Sequence, residues 1–149
     1  MSPQSGENYT FDRPGAKVSL SKGGQGFRIL LDGEPYQIHG GGGRTHLEEL
    51  KAIGGNTIRT WSTFELDTLL DQAEAAGLKV MVGLDVVPGR LGLDYYDSAM
   101  VAEQKARIRK DILKYKDHPA LLMWNVGNEL DLFYEKDALY YAINELAEM

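Results

Sequence analysis

The chain has 149 residues, 43% hydrophobic and 26% charged, the length and composition of one globular domain with enough material for a proper core. Its formal charge of −6, with basic residues scattered apart from a short cluster at Lys105, Arg107, Arg109 and Lys110 on a predicted helix face, argues against a nucleic-acid partner. The absence of cysteine excludes disulfides and thiolate metal sites, and no apolar run approaches the roughly 18 residues needed to cross a bilayer.

The opening stretch, Met1 to Gly6, lacks the charged-then-apolar character of an export signal, which leaves the location of the protein open. Residues 1–26 are read as a polar lead-in containing a short strand near Lys17–Leu20, and residues 27–149 as a single α/β domain. That domain begins with a predicted hairpin. Phe27 to Leu31 and Tyr36 to His39 flank Asp32-Gly33, a dipeptide that tolerates positive φ.

From there the pattern alternates. The first helix is expected to start at Thr45, with Glu48 completing a capping box, and to stop at Gly54-Gly55. The second predicted strand is Asn56 to Trp61. The helix after it opens on Ser62 and Glu65, again as a capping box, and ends at Gly77. Leu66, Leu69, Leu70 and Ala73 share one face of that helix.

The third predicted strand is Lys79 to Asp85, followed by a loop rich in Gly, Asp and Tyr from Val87 to Asp97. The third helix runs from about Ser98 to Lys116, with Val101, Ile108, Ile112 and Tyr115 facing inward and Pro119 marking its end. The fourth strand is Leu121 to Val126. A helix from Asp137 onward carries Leu139, Ala142, Ile143 and Leu146 as its stripe.

Four β-then-α units with apolar, β-branched strands predict a parallel sheet covered by helices. Right-handed crossovers then gather the C-terminal strand ends on one face. A doubly wound open sheet, half of an eightfold barrel and a complete small α/β domain all fit this pattern. Gly40 to Gly43, four consecutive glycines placed after the first strand, do not complete a dinucleotide fingerprint with the following Arg44-Thr45. A nucleotide-binding α/β domain is therefore the weakest reading. The most informative stretch is Leu121 to Leu130, an apolar strand that ends in Asn128-Glu129 and so sets an amide and a carboxylate at that shared face.

The residues then resemble a known family. Leu31-Asp-Gly-Glu-Pro-Tyr-Gln-Ile-His-Gly40 and Leu50-Lys-Ala-Ile-Gly-Gly-Asn-Thr-Ile-Arg-Thr-Trp61 resemble the entry into the barrel of glycoside hydrolase family 2 and its clan A relatives. Asp71-Gln-Ala-Glu-Ala-Ala-Gly-Leu-Lys-Val80 is similar to their second helix and third strand. Asp117-His-Pro-Ala-Leu-Leu-Met-Trp-Asn-Val-Gly-Asn-Glu129 looks like their fourth strand. The match runs in order from Phe27 to Leu130. A lone Asn-Glu pair is a weak signal; the ordered set is a strong one.

This resemblance implies a (β/α)8 barrel and a retaining glycosidase acting on β-linked sugars. Glu129 would be the acid/base, Asn128 would hold the sugar 2-hydroxyl, and Arg59 would support the nucleophile. The nucleophile belongs after the seventh strand in such enzymes, so the chain looks like the N-terminal half of a barrel, (β/α)4. No cofactor is implied.

Retaining hydrolysis requires two carboxyl groups about 5–5.5 Å apart, one of them held protonated by partial burial or a neighbouring anion. Asp85, Asp94, Asp131 and Glu135 are the in-chain candidates for the second group. Glu129 could equally be a rim carboxylate tied to Arg59, and Asn128 a turn residue. Trp61 suits either a sugar platform or a staple against Leu66, while Trp124 reads as core rather than a sugar platform. His39 suits either the pocket wall or a backbone hydrogen bond. With His46 and His118 it makes no metal-ligand spacing.

Half a barrel leaves two unpaired strand edges and an apolar inner face, and both invite association. The expected partners are therefore a carbohydrate and a second copy of the chain, as a homodimer or higher oligomer. A twofold pairing would close eight strands and place the two copies of Glu129 at positions four and eight. The alternative function is a non-catalytic, self-assembling half-barrel or carbohydrate-binding module.

Overall fold

A computed structural model describes residues 9–11, 17–23, 26–134 and 136–149. The chain divides into two compact units, Met1–His39 and Gly40–Met149.

The first unit is an antiparallel sheet of four strands in sequence order: β1 (Tyr9–Phe11), β2 (Val18–Gly23), β3 (Gly26–Leu31) and β4 (Glu34–Pro35). The expected turn at Asp32-Gly33 is present. Both residues take positive φ, 52° and 85°, the handedness that matches the twist of the flanking strands. Leu31 pairs with Glu34 and Leu30 with Pro35, and the Tyr36 N–H still donates to the Ile29 carbonyl at 2.8 Å; Pro35 is tolerated because its nitrogen lies at the position of the hairpin that does not face β3. The expected return strand Tyr36–His39 is not formed beyond that one bond; the returning strand is the two residues before it.

The second unit is a parallel sheet in the order β5-β6-β7-β8, comprising β5 (Gly40–Gly42), β6 (Thr57–Arg59), β7 (Lys79–Gly83) and β8 (Leu121–Asn125). Its helices are α1 (Leu47–Ala52), α2 (Leu66–Ala75), α3 (Ser98–Tyr115) and α4 (Asp137–Ala147). The α/β architecture with parallel strands agrees with the sequence, but the first strand does not fall where it was expected. The glycine run placed after the first strand itself forms β5. A Cβ on Gly40 would lie 1.9 Å from the Thr57 carbonyl oxygen, and one on Gly42 2.5 Å from the Trp61 indole. Glycine is what lets this strand lie so close to β6 and to Trp61.

The helix faces follow the predicted periodicity. Leu66, Leu69, Leu70 and Ala73 of α2 are all buried, against Ile58, Val80 and Val82 of the sheet. A second cluster gathers Ile108 of α3 and Leu139, Ala142 and Leu146 of α4 around Leu84, Val86, Leu93, Tyr95 and Leu130 from the strand-end loops. Trp124 packs against both clusters, in keeping with its reading as core. On the opposite side of the sheet Arg59, Met81 and Met123 stand in register and are only half-buried.

Helix stops were more legible than starts. Gly54 and Gly77, at φ 91° and 67°, close α1 and α2 as expected. Neither capping box forms. His46 and Glu65 precede these helices in left-handed conformation, with no side-chain cap. The residue after Ser62 explains the second case: Thr63 donates its N–H to Asp85 Oδ2 at 2.9 Å and its hydroxyl to the same oxygen, so the segment is pinned to the end of β7. Helix α3 does carry a cap, Asp97, whose carboxylate accepts from the N–H groups of Ala99 and Met100 at 2.9 and 3.2 Å. Lys114 and the Tyr115 hydroxyl of α3 both reach Asp67 of α2, at 2.6 and 2.8 Å. Among the described residues no helix is long and apolar enough to cross a membrane.

Candidate active site

Parallel strands with intervening helices place the loops after β6, β7 and β8 on one edge of the sheet. Arg59, the last residue of β6, donates from its guanidinium to Asn128 Oδ1 at 2.8 Å, across 69 positions of sequence. The same guanidinium stands 5.1 Å from the centroid of the Trp61 ring, while its Nε–H is buried and has no hydrogen-bond partner among the described residues. A buried donor left open in this way favours an anionic or carbonyl acceptor beside it.

Trp61 and Asn128 also line a cavity of about 300 Å³, whose other walls are Leu84 to Pro88, Leu91 and Arg107. Asp85 is in this wall. Its carboxylate is occupied by Thr63, and Arg107 donates to its backbone carbonyl at 2.9 Å. A pocket of this size, lined by apolar residues together with an amide, a carboxylate and a guanidinium, suits a small polar ligand that also carries some apolar surface.

The end of β8 is sharply bent. Gly127 and Glu129 both take positive φ, 82° and 49°, on either side of Asn128. This reversal accompanies the Asn128 contact to Arg59 and leaves Glu129 exposed. No described side chain hydrogen-bonds the Glu129 carboxylate, and the residue is exposed. Its backbone carbonyl, however, accepts a hydrogen bond from Arg90.

The structure thus joins three of the sequence-derived site residues, Arg59, Trp61 and Asn128, with Glu129 next in the chain. His39 is exposed and is the last residue of the first unit. The candidate second carboxylates have other engagements or lie apart: Asp85 is held by Thr63, Asp94 accepts from the Tyr96 N–H at 3.0 Å, Asp131 is exposed, and Glu135 lies outside the described residues. Sequence reasoning missed Thr63, Arg90 and Arg107. None sits in a motif, and their roles depend on loop paths that periodicity does not encode. Among the described residues no three His, Asp or Glu side chains cluster as metal ligands.

No protein-family model matches the chain, and no curated protein matches it in sequence. Solved structures do match in fold. The chain superposes on exo-chitosanase CsxA from Amycolatopsis orientalis with a TM-score of 0.59 and 18% identity, covering 88% of this chain and 18% of that enzyme. For a β-glucuronidase from Faecalibacterium prausnitzii the values are 0.63 and 17%, over 91% of this chain and 29% of that one. A Ruminococcus gnavus β-glucuronidase in complex with uronic deoxynojirimycin gives 0.61 and 20%, over 87% and 28%.

The likeness is one of fold. The resemblance read from the residues is met by glycoside hydrolase family 2 enzymes as structural neighbours, and the parallel sheet is consistent with part of a barrel. The chain spans less than a third of the length of each of these enzymes.

Proposed function

We propose that the second unit is the first half of a (β/α)8 barrel and carries half of a retaining β-glycosidase site. The observation that carries this reading is the Arg59–Asn128 hydrogen bond. It ties the ends of β6 and β8 together at the edge where Glu129 follows, and a cavity lies alongside. Barrel chemistry is done at that edge.

In this reading the Glu129 carboxyl protonates the glycosidic oxygen as the bond from the anomeric carbon breaks. A second carboxylate attacks that carbon to form a glycosyl ester. Glu129, now a carboxylate, removes a proton from the water that hydrolyses the ester and is thereby reset. Asn128 binds the sugar 2-hydroxyl. The open Nε–H of Arg59 is available to the incoming carboxylate and favours its ionised form. The partner carboxylate comes from whatever completes the barrel.

Self-association is one way to complete it. Among the described residues β5 and β8 are unpaired edges, and a second copy would set its β8 beside β5. Light scattering on a size-exclusion column is expected to give a mass of twice the chain or more. A well-folded monomer overturns the pairing.

Hydrolysis of a panel of nitrophenyl β-glycosides by the wild type, lost in Glu129→Gln, is the expected result for the enzyme. The exposure of Glu129 and the engagement of Asp85 favour a second reading, a carbohydrate-binding half-barrel without turnover. Sugar binding without hydrolysis in the wild type supports that reading and refutes the first.

A further inference from the structure

We infer that Arg90 is a positioning residue for Glu129, the working end of a clasp between the loop after β7 and the loop after β8. This rests on the reading of Glu129 as the acid/base. The clasp has two points of contact. At the first, the Arg90 guanidinium donates to the Glu129 backbone carbonyl. That residue holds a left-handed conformation, φ 49°, which L side chains avoid unless the surroundings impose it.

The second contact is steric. Gly89 lies flat against the Tyr134 ring, so closely that a Cβ there would sit 2.4 Å from it. Tyr134 is braced from behind by the Tyr95 ring, with centroids 5.9 Å apart, and its hydroxyl accepts from the Tyr95 N–H at 3.4 Å.

Arg90 is itself set on a stiff support. It is the middle residue of a single 3₁₀ turn, Gly89–Leu91, closed by hydrogen bonds from Leu91 N to Pro88 O and from Gly92 N to Gly89 O at 2.9 and 3.0 Å. Pro88 and Leu91, on either side, line the cavity beside Asn128. One short turn therefore both shapes the pocket wall and fixes the carbonyl of the proposed acid. With the carbonyl held and φ reversed, the Cα–Cβ direction of Glu129 is set. The Leu132 N–H also reaches this carbonyl, at a longer 3.3 Å. Without Arg90 that weaker bond alone holds the peptide plane, which then relaxes toward the ordinary right-handed region, and the carboxyl swings with it.

The test uses the full chain, isotopically labelled, as wild type, Arg90→Ala and Arg90→Lys. The readout is the Glu129 HN–Hα coupling and Cα shift, which distinguish left- from right-handed φ. The expected result is that Arg90→Ala moves Glu129 and Leu130 out of their wild-type positions while resonances of α2 and β7 stay put. Arg90→Lys, which keeps one donor, is expected to restore most of the shift. If the alanine variant fails to fold, Arg90→Met, which keeps the aliphatic stem and loses the donor, is read in the same way.

Unchanged Glu129 resonances in a folded variant lacking the donor overturn the proposal, whatever the activity. Where the wild type hydrolyses a nitrophenyl glycoside, Arg90→Ala is expected to lower kcat about tenfold with KM nearly unchanged, the pattern of a misplaced catalytic group. A wild type without turnover, in which Glu129 still shifts on loss of Arg90, refutes the acid/base reading and leaves the clasp standing.

Discussion

Replacing Gly40 by alanine puts a methyl group 1.9 Å from the Thr57 carbonyl oxygen, whereas real Cβ contacts essentially never fall below 3.0 Å. The obstacle is backbone, so no rotamer change relieves it. β5 must retreat from β6 by about 1 Å, enough to spoil ladder hydrogen bonds whose strands normally lie about 4.7–4.9 Å apart. Overpacking of this kind costs about 1–3 kcal/mol. Against it stands a gain of about 0.4–1 kcal/mol, because alanine restricts the unfolded chain. The net expectation is a loss of about 1–2 kcal/mol.

Gly41, one residue on and facing the other side of the sheet, has nothing within 4 Å of its built Cβ and no positive φ, so Gly41→Ala should gain the unfolded-state term alone. With a urea m-value of about 1–3 kcal/mol/M, the two variants should differ by about 1 M in unfolding midpoint at unchanged m. A Gly40→Ala midpoint at or above that of the wild type refutes the account of β5 as a strand that only glycine can form.

Three other outcomes are expected. Leu70→Ala, at a fully buried site between α2 and the sheet, should cost about 3 kcal/mol or more by urea unfolding, because the rigid strand opposite cannot collapse into the space. Asp97→Ala should cost about 1 kcal/mol through loss of the α3 cap, and Asp97→Asn much less. Asp67 is held below its ordinary value of 3.8 by hydrogen bonds from Lys114 and the Tyr115 hydroxyl. Its contribution to stability is therefore complete above that value and lost as pH falls through its lowered one. The unfolding midpoints of wild type and Asp67→Asn should thus differ at pH 7, begin to draw together only as pH falls below 3.8 toward the lowered value, and differ less in 1 M salt.

How far the sequence carried the structure depended on range. The α2 stripe from Leu66 to Ala73 and the α4 stripe from Leu139 to Leu146 were readable because burial imposes a period on consecutive residues. The helix stops at Gly54 and Gly77 were readable because left-handed φ singles out glycine. Thr45 and Ser62 misled because a capping signature is local, whereas the path of the chain at Thr63 is decided by Asp85, 22 positions on. The glycines of β5 misled for the opposite reason: a composition that locally signals a turn was selected by the approach of Thr57 and Trp61. The pairing of Arg59 with Asn128 was not anticipated: the resemblance gave each a separate role, and nothing in either segment alone directs one to the other. Arg90 carried no sign at all, because its target is a backbone carbonyl, and any residue would offer one.

Trp124, itself only partly buried, packs against both apolar clusters at once. Neither can loosen without disturbing the same indole, so the two halves of the interior should melt in a single transition, and the emission of this ring should follow it. The other tryptophan, Trp61, is half-exposed beside Arg59 and the cavity, and its emission should answer to occupants of that cavity. The protein therefore contains two built-in optical probes, one for cohesion of the interior and one for events at the rim, and replacing either with phenylalanine would let the other be read alone.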